Sequence, residues 1–439
     1  WSNSICDWDQ FPDITGCING GLDGEFQRFQ RKVAADYLGW QSDIVRKYKR
    51  EDQFITHNLD FEWKKFGADI AQDGYSYGVQ PGINHYEAAK YLTRLGTDIY
   101  HPTQDDLTGA EIAFGGDSTR SLKHENYLVL ECQAQAFKYW TPYPGQLRLQ
   151  AYSHLAGGAD GISYWNWHSI HNGFETYWKG LLSHDLEENP AYDEACRIGQ
   201  EWKEIGKHLI HLEKDNKTAL LVDNCSMTAF QWFPIDRDLS YNDVVRWVYD
   251  SLYEMNIECD VVDVNGLDPA RYKMIVTPAL YCAPEGLLEK LDGFVRNGGV
   301  LVSTFKSFVA DEYSSVYADK QPHRLRACFG MSYNQFTEPG KTKLMECRVK
   351  YFAELLKPEG AQSLADYEHK YWGKYAGITR NAYGEGAAYY IGCYTEKAVL
   401  KQILKRAAED AGIWGRKMEY QWPIIVRQGK NQYGRRLYY

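Results

Sequence analysis

The sequence predicts an α/β protein in three parts: half of a (β/α)8 barrel over residues 1–212, a doubly wound α/β unit over 213–415, and the start of a small antiparallel β module over 416–439. Three observations carry this reading. Four short apolar runs alternate with four amphipathic stretches before residue 212, which is the rhythm of parallel strands and crossover helices. Near residue 213 the polar run Lys214-Asp215-Asn216-Lys217 interrupts that rhythm and a second strand–helix series begins. After residue 416 the pattern shortens to strand-like runs around one turn. A chain of 439 residues is the right length for two or three such units.

Residues 1–23 read as irregular and aromatic, with Trp1, Trp8 and Phe11 among turn-forming Gly16, Asn19, Gly20 and Gly21. Asp23 is placed to cap a long helix, whose apolar positions Phe26, Phe29, Val33, Tyr37, Ile44 and Tyr48 follow a helical spacing and are expected to face the core. A strand is expected at Phe54–Asn58, a helix at Tyr86–Leu95 closed by Gly96, and a strand at Asp98–Tyr100 before a loop rich in Asp and Gly. Tyr127–Gln133 opens with four apolar residues in a row and reads as a strand buried on both faces. Pro144 opens a helix through Leu155 that Gly157-Gly158 ends, and Gly161–Trp167 is the fourth strand. The last helix carries Ile198, Trp202, Ile205, Leu209 and Leu212 as one stripe. Four strands with four helices amount to half a barrel, so about 125 further residues are expected upstream. The opening at Trp1-Ser2-Asn3, without Met, and the close inside an apolar run at Leu437-Tyr438-Tyr439 point the same way.

The second unit reads as a strand at Thr218–Val222, a helix at Asp243–Met255, strands at Ile257–Val262 and Met274–Thr277, a helix at Gly286–Val295 and a strand at Val300–Ser303. A strand at Ala388–Cys393 and a helix to Ala411 complete it. Asn297-Gly298-Gly299 lacks the G-x-G-x-x-G spacing and gives no support to a dinucleotide site. Met418–Tyr439 reads as strands with a turn at Gln428–Asn431.

The net charge of −10, from 49 basic and 59 acidic residues, argues against nucleic acid or an anionic membrane as partner. The sequence reads as one without a signal peptide or an apolar run long enough to span a bilayer. Ten cysteines are scattered singly with no C-x-x-C pair, which reads as reduced thiols in a cytoplasmic protein without a structural metal or cofactor. His168, His171 and His184 match no standard metal-ligand spacing. Cys225 and Cys282 do not read as nucleophiles between a strand and a helix.

The chemistry centres on Glu131. A carboxylate that directly follows a buried parallel strand stands where catalytic groups of barrels stand, and Glu is seldom buried without a partner or a task. Downstream, Trp140, the segment Gly161–His168, Glu175 and Trp178 add aromatic faces and a second carboxylate. Flat apolar faces for a ring and charged groups for its hydroxyls are the makings of a sugar site, which makes Glu131 the candidate nucleophile of a glycoside hydrolase.

The strand Tyr127–Gln133, Trp140-Thr141-Pro142, Pro144–Leu149, Gly157–Gly161, and Gly161–His168 leading into Phe174-Glu175 together resemble the β-galactosidases of glycoside hydrolase family 42. Asp260-Val261-Val262, Ala279-Leu280-Tyr281 and Asn297–Val302 extend the resemblance through the α/β unit. It implies a barrel, a glutamine-amidotransferase-like domain that mediates homotrimers, a small β domain, and retaining hydrolysis of terminal β-D-galactosides by two carboxyls about 5–5.5 Å apart. By position, Glu131 matches the nucleophile. Trp1, Trp140, Trp165 and Glu175 match substrate-binding positions. The family's Tyr before a Pro falls on His101 when aligned on Pro102, with Tyr100 beside it, and either takes that role. Trp178 stands where the family commonly has His, so an indole face replaces an imidazole. The acid/base, the Glu of an Asn-Glu pair, is expected before residue 1, which leaves the chain catalytically incomplete. An α-L-arabinopyranosidase, and a non-catalytic carbohydrate-binding or assembly protein, are the alternatives.

Overall fold

The structure, a computed structural model, describes residues 7–10, 19–63, 76–102, 104–135, 140–234 and 236–439. The first part holds four parallel strands in the order β1 (Leu59–Asp60), β2 (Leu95–Asp98), β3 (Tyr127–Gln133) and β4 (Ala159–Trp165). Helices α1 (Gly20–Tyr48), α2 (His85–Ala89), α3 (Ala110–Ser121), α4 (Gln146–Gly157) and α5 (Pro190–Leu209) surround it. This sheet is open rather than closed. On β3, Tyr127 and Val129 are buried whereas Leu128 and Leu130 are only half-buried, so the expectation of burial on both faces is corrected. Burial on the second face of a barrel strand requires strands across the barrel, and a four-stranded open sheet has none.

Several local expectations are also corrected. Asn19, not Asp23, caps α1 through its side chain, accepting from Leu22 N at 3.0 Å. Asp23 lies inside the first turn and accepts instead from the indole of Trp232 at 3.0 Å. The apolar stripe of α1 faces outward, with Phe29 51% and Tyr48 82% exposed. The buried face is Arg31, Ala35, Leu38, Gly39 and Ser42. Close approach decided this: a Cβ at Gly39 would stand 2.6 Å from the Tyr91 ring, so small residues, not large apolar ones, mark the contact face. Residues 54–58 are not a strand; the pairing begins at Leu59. The helix expected at Tyr86–Leu95 ends at Ala89, and Gly96 sits inside β2 rather than capping a helix. A Cβ there would reach the Leu130 side chain at 2.6 Å as well as Thr56. Consequently β2 runs three residues ahead of the expected strand Asp98–Tyr100.

Helix α3 occupies what reads in sequence as a loop rich in Asp and Gly. It is buried along its whole length between the first sheet and the second unit. Its polar residues are paired across that boundary: Arg120 reaches Asp260 at 2.9 Å, Asp117 accepts from Tyr249 at 2.8 Å, and Glu111 accepts from Arg246 at 2.5 Å. Arg427 also joins Asp117, so the C-terminal segment is tied to the same cluster.

The second unit has a seven-stranded sheet built around β5 (Thr218–Val222), β6 (Cys259–Asp263), β7 (Met274–Thr277) and β8 (Val300–Thr304), all parallel. After β8 come β9 (Gln362–Asp366), β10 (Ala376–Tyr383) and β11 (Gly386–Ile391), giving the order β9-β10-β11-β8-β7-β5-β6. Among its helices are α6 (Asn224–Trp232), α7 (Tyr241–Glu254), α8 (Glu285–Arg296) and α9 (Lys397–Asp410). Reversal of strand order at β5 makes the sheet doubly wound. Residues 428–430 are not a turn but the strand β12 (Gln428–Lys430), paired antiparallel with β13 (Arg436–Tyr438). No helix among the described residues is long and apolar enough to cross a membrane.

Candidate active site

All four parallel strands of the first sheet present their carboxyl ends along one edge. Register places Asp98, the last residue of β2, beside Glu131 of β3. The pairing steps from Thr97–Val129 to Asp98–Glu131, leaving Leu130 as an extra residue. Such a bulge re-aims the side chain that follows it. Here that side chain is Glu131.

The Glu131 carboxylate is held from both oxygens. Tyr100, two residues past β2, donates its hydroxyl to Oε2 at 2.9 Å, and Asn58, just before β1, donates Nδ2 to Oε1 at 3.1 Å. Burial, reinforced by the Glu131 charge, raises the Tyr100 phenol far above its ordinary range, so it remains a donor at any working pH. No cation among the described residues pairs with Glu131. Asn58 Nδ2 also lies 3.0 and 3.1 Å from the two oxygens of Asp98. Burial and then the Glu131 charge push the Asp98 carboxyl up to about 7. Sequence reasoning missed both Asn58 and Asp98.

Glu175 and Trp165 are brought together. The indole of Trp165, at the end of β4, donates to Glu175 Oε2 at 3.0 Å. Trp165 pairs in register with Gln133, two residues beyond Glu131, so this couple stands at the same end of the sheet. Trp178 follows on the same loop, half-buried, its backbone N–H donating to the Glu175 carbonyl at 3.1 Å.

His101 and Trp140 form a different group. His101 is 2% exposed and Trp140 0%, and their rings meet edge to face at 5.1 Å. Both imidazole nitrogens are engaged, Nδ1 with the Pro102 carbonyl at 2.7 Å and Nε2 with Gln150 of α4 at 2.8 Å. Burial lowers this imidazole to about 4, so it is neutral. Of the two neighbours, Tyr100 reaches Glu131 and His101 packs between the sheet and α4. Trp1 lies outside the described residues.

In the α/β unit, Cys225 is the second residue of α6, without the glycines of a G-x-C-x-G elbow. Burial and the Asp223 charge push this thiol up to about 11 despite Arg28 beside it, which leaves it protonated and a poor nucleophile. Cys282 is pushed up further by burial.

Two family models match the chain in tandem. One, described as β-galactosidase, covers residues 1–205, and one described as β-galactosidase trimerisation domain covers residues 216–414. Beta-galactosidase LacZ of Lactobacillus acidophilus is 27% identical over 431 residues, covering 94% of this chain and 62% of that protein. Beta-galactosidase BgaP of Planococcus sp. is 26% identical over 437 residues, with coverage of 94% and 62%. The chain thus spans about 62% of the length of the curated relatives it matches. Among solved structures, the β-galactosidase of Bacillus circulans sp. alkalophilus superimposes with a TM-score of 0.84 at 22% identity, over 98% of this chain and 65% of that one. Gan42B, a GH42 β-galactosidase, gives 0.87 at 23% identity over 98% and 64%. Consecutive models of one family account for both halves of the sequence, and the fold is that of the family's solved members: this chain belongs to glycoside hydrolase family 42, the β-galactosidase family.

Proposed function

We propose that the chain carries the nucleophile side of a retaining glycosidase site that releases terminal β-D-galactose from small oligosaccharides. The observation that carries this reading is the setting of Glu131. A buried carboxylate kept for structure pairs with Arg or Lys, as Glu111, Asp117 and Asp260 do here. Among the described residues Glu131 has two neutral donors and no cation, a setting that orients an anion without neutralising it. In the retaining mechanism this carboxylate attacks the anomeric carbon and displaces the aglycone, whose oxygen takes a proton from the acid/base, and water then hydrolyses the glycosyl ester.

Residues 1–212 supply the half-barrel, Tyr100 orients the nucleophile, and Trp165, Glu175 and Trp178 contact the sugar. The family resemblance assigns Trp1 a substrate-binding role as well. His101 and Trp140 form the packed layer behind. The acid/base is a carboxyl contributed from outside residues 1–439. Residues 213–415 form the trimerisation unit of a homotrimer, a reading supported by the description of the matching family model, and 416–439 belong to a third, β-structured unit. The cytoplasm is the proposed compartment, supported by eight unbonded cysteines among the described residues. Trp178 favours a second substrate, the α-L-arabinopyranosides, because an indole stacked on a pyranose makes no demand on the group at C6.

The test uses 2,4-dinitrophenyl β-D-galactopyranoside, whose leaving group departs without protonation. Glu131→Gln is expected to abolish its hydrolysis while leaving the melting temperature within a few degrees. Turnover near the wild-type rate would remove Glu131 from the mechanism and favour a carbohydrate-binding or assembly role.

A further inference from the structure

Asn58 and Asp98 lie within the carboxylate cluster at the strand ends, yet neither has a part in the reading above. Asn58 Nδ2 carries two hydrogens and faces three carboxylate oxygens, Glu131 Oε1 at 3.1 Å and the two of Asp98 at 3.0 and 3.1 Å. Among the described residues these are the side-chain bonds of Asn58, and Asn58 is an exposed residue. A free carboxamide on an exposed segment would rotate, and turned end for end it would set its oxygen against Glu131. Asp98 prevents both. Its carboxyl group accepts from the same nitrogen, and an inverted amide would face two oxygen-bearing groups instead of one. Asp98 is in turn fixed by the β2–β3 register. We propose that Asp98, acting through the Asn58 carboxamide, is a positioning residue that holds the Glu131 carboxylate in its attacking orientation; the proposal rests on Glu131 being the nucleophile.

The charges around Asp98 make the role measurable. Glu131 faces it from β3 and Asp60 from β1, both raising its affinity for a proton, while Asn58 lowers it. Tyr100 beyond β2 and Cys132 on β3 are held protonated, first of all by burial. Raising the pH through about 7 therefore ionises the Asp98 carboxyl and adds a negative charge beside the nucleophile. Attack on a sugar moves negative charge off Glu131. A second charge beside it therefore favours attack, and the rate rises with pH.

The experiment is inactivation of the full chain by 2,4-dinitrophenyl 2-deoxy-2-fluoro-β-D-galactopyranoside. Because dinitrophenolate leaves without protonation, no general acid contributes to the pH profile. Wild type is expected to be labelled on Glu131, at a saturating rate that rises about threefold between pH 6 and 8, the size of a modest charge–charge term in a polar site. Asp98→Ala lowers that rate about ten- to hundredfold, as loss of orientation does, with the half-saturating concentration moved less than about threefold. Asp98→Asn, which still offers Asn58 an acceptor, loses less rate but shows a flat profile over the same pH range. Asn58→Ala removes the bridge itself and reproduces the Asp98→Ala loss, so the result stands even if Asp98→Ala fails to fold. Labelling of Asp98→Ala at the wild-type rate, or a pH limb retained by Asp98→Asn, overturns the proposal. If wild type is not labelled at all, the glycosidase reading falls first and the proposal with it.

Discussion

Tyr100→Phe separates the two neighbours that compete for one role. The substitution deletes the hydroxyl 2.9 Å from Glu131 Oε2 and leaves Asn58, 3.1 Å from Oε1, as the remaining donor among the described residues. A hydrogen bond to a charged acceptor contributes about 1.5–3 kcal/mol, and about 1.4 kcal/mol is a factor of ten in rate, so the inactivation rate by an activated fluorogalactoside should fall roughly ten- to hundredfold. The fold should hold, because the ring stays and the lost bond faces the site rather than the core. His101→Ala should do the reverse. It empties a ring-sized space between Trp140 and Gln150, where the imidazole is 2% exposed, at a cost of about 2–4 kcal/mol of stability by analogy with large-to-small core substitutions. Inactivation of its folded fraction should stay within about threefold of wild type. Stopped-flow release of dinitrophenolate reports the first quantity and thermal melting the second. The assignment fails if His101→Ala slows inactivation tenfold without lowering the melting temperature while Tyr100→Phe leaves the rate alone.

Three further outcomes follow from the same geometry. Asp117→Asn leaves Arg120 and Arg427 buried with one counter-charge fewer. Breaking such a pair costs about 3–5 kcal/mol, which at roughly 2.1 cal/mol/K per residue over 439 residues lowers the melting temperature by about 4 °C in calorimetry. Against the upward push of burial, Lys214, Lys417 and Arg427 hold Glu258 well below the usual carboxylate range, and His124, Arg120 and Asn216 do the same for Asp260. A depressed folded-state value stabilises above the unfolded value of about 4 and the stabilisation is lost as pH falls below it, so the melting temperature should hold between pH 6 and 5 and drop steeply between pH 4 and 3. Trp178→His should raise the ratio of kcat/KM for galactosides over arabinopyranosides by about tenfold; an unchanged ratio with lower stability would mean that the indole only packs.

How much of this was legible depended on the kind of burial. The strand Tyr127–Gln133 was readable to the residue, as were Thr218–Val222 and Met274–Thr277, because continuous apolar runs bounded by polar residues admit few other readings. Helix α3 was invisible for the opposite reason. Its large apolar residues are Ile112 and Phe114 alone, and its other buried positions include Glu111, Asp117, Ser118 and Arg120, which are stabilised by pairing across a boundary, so no apolar stripe marks the helix. The face of α1 was inverted because Ala35, Gly39 and Ser42 permit close contact while larger residues face out. At the site, Glu131 was found because it terminates an unmistakable strand. Asp98 was missed through a boundary error of three residues, which set it at the entry of a strand when it stands at the exit, where functional groups of parallel sheets gather. Asn58 lies before a strand of two residues, too short to signal itself. Choosing between Tyr100 and His101 needed the direction of each side chain, which register and packing decide and spacing does not.

The central claim is that Glu131 carries the sugar. Treating the protein with 2,4-dinitrophenyl 2-deoxy-2-fluoro-β-D-galactopyranoside, digesting it and sequencing the modified peptide by mass spectrometry tests this directly. One fluorogalactosyl group per chain is expected, ester-linked to Glu131 within Tyr127–Gln133 and absent from Glu131→Gln. A label on Asp98, Glu175 or any other carboxylate, with Glu131 unmodified, would contradict it.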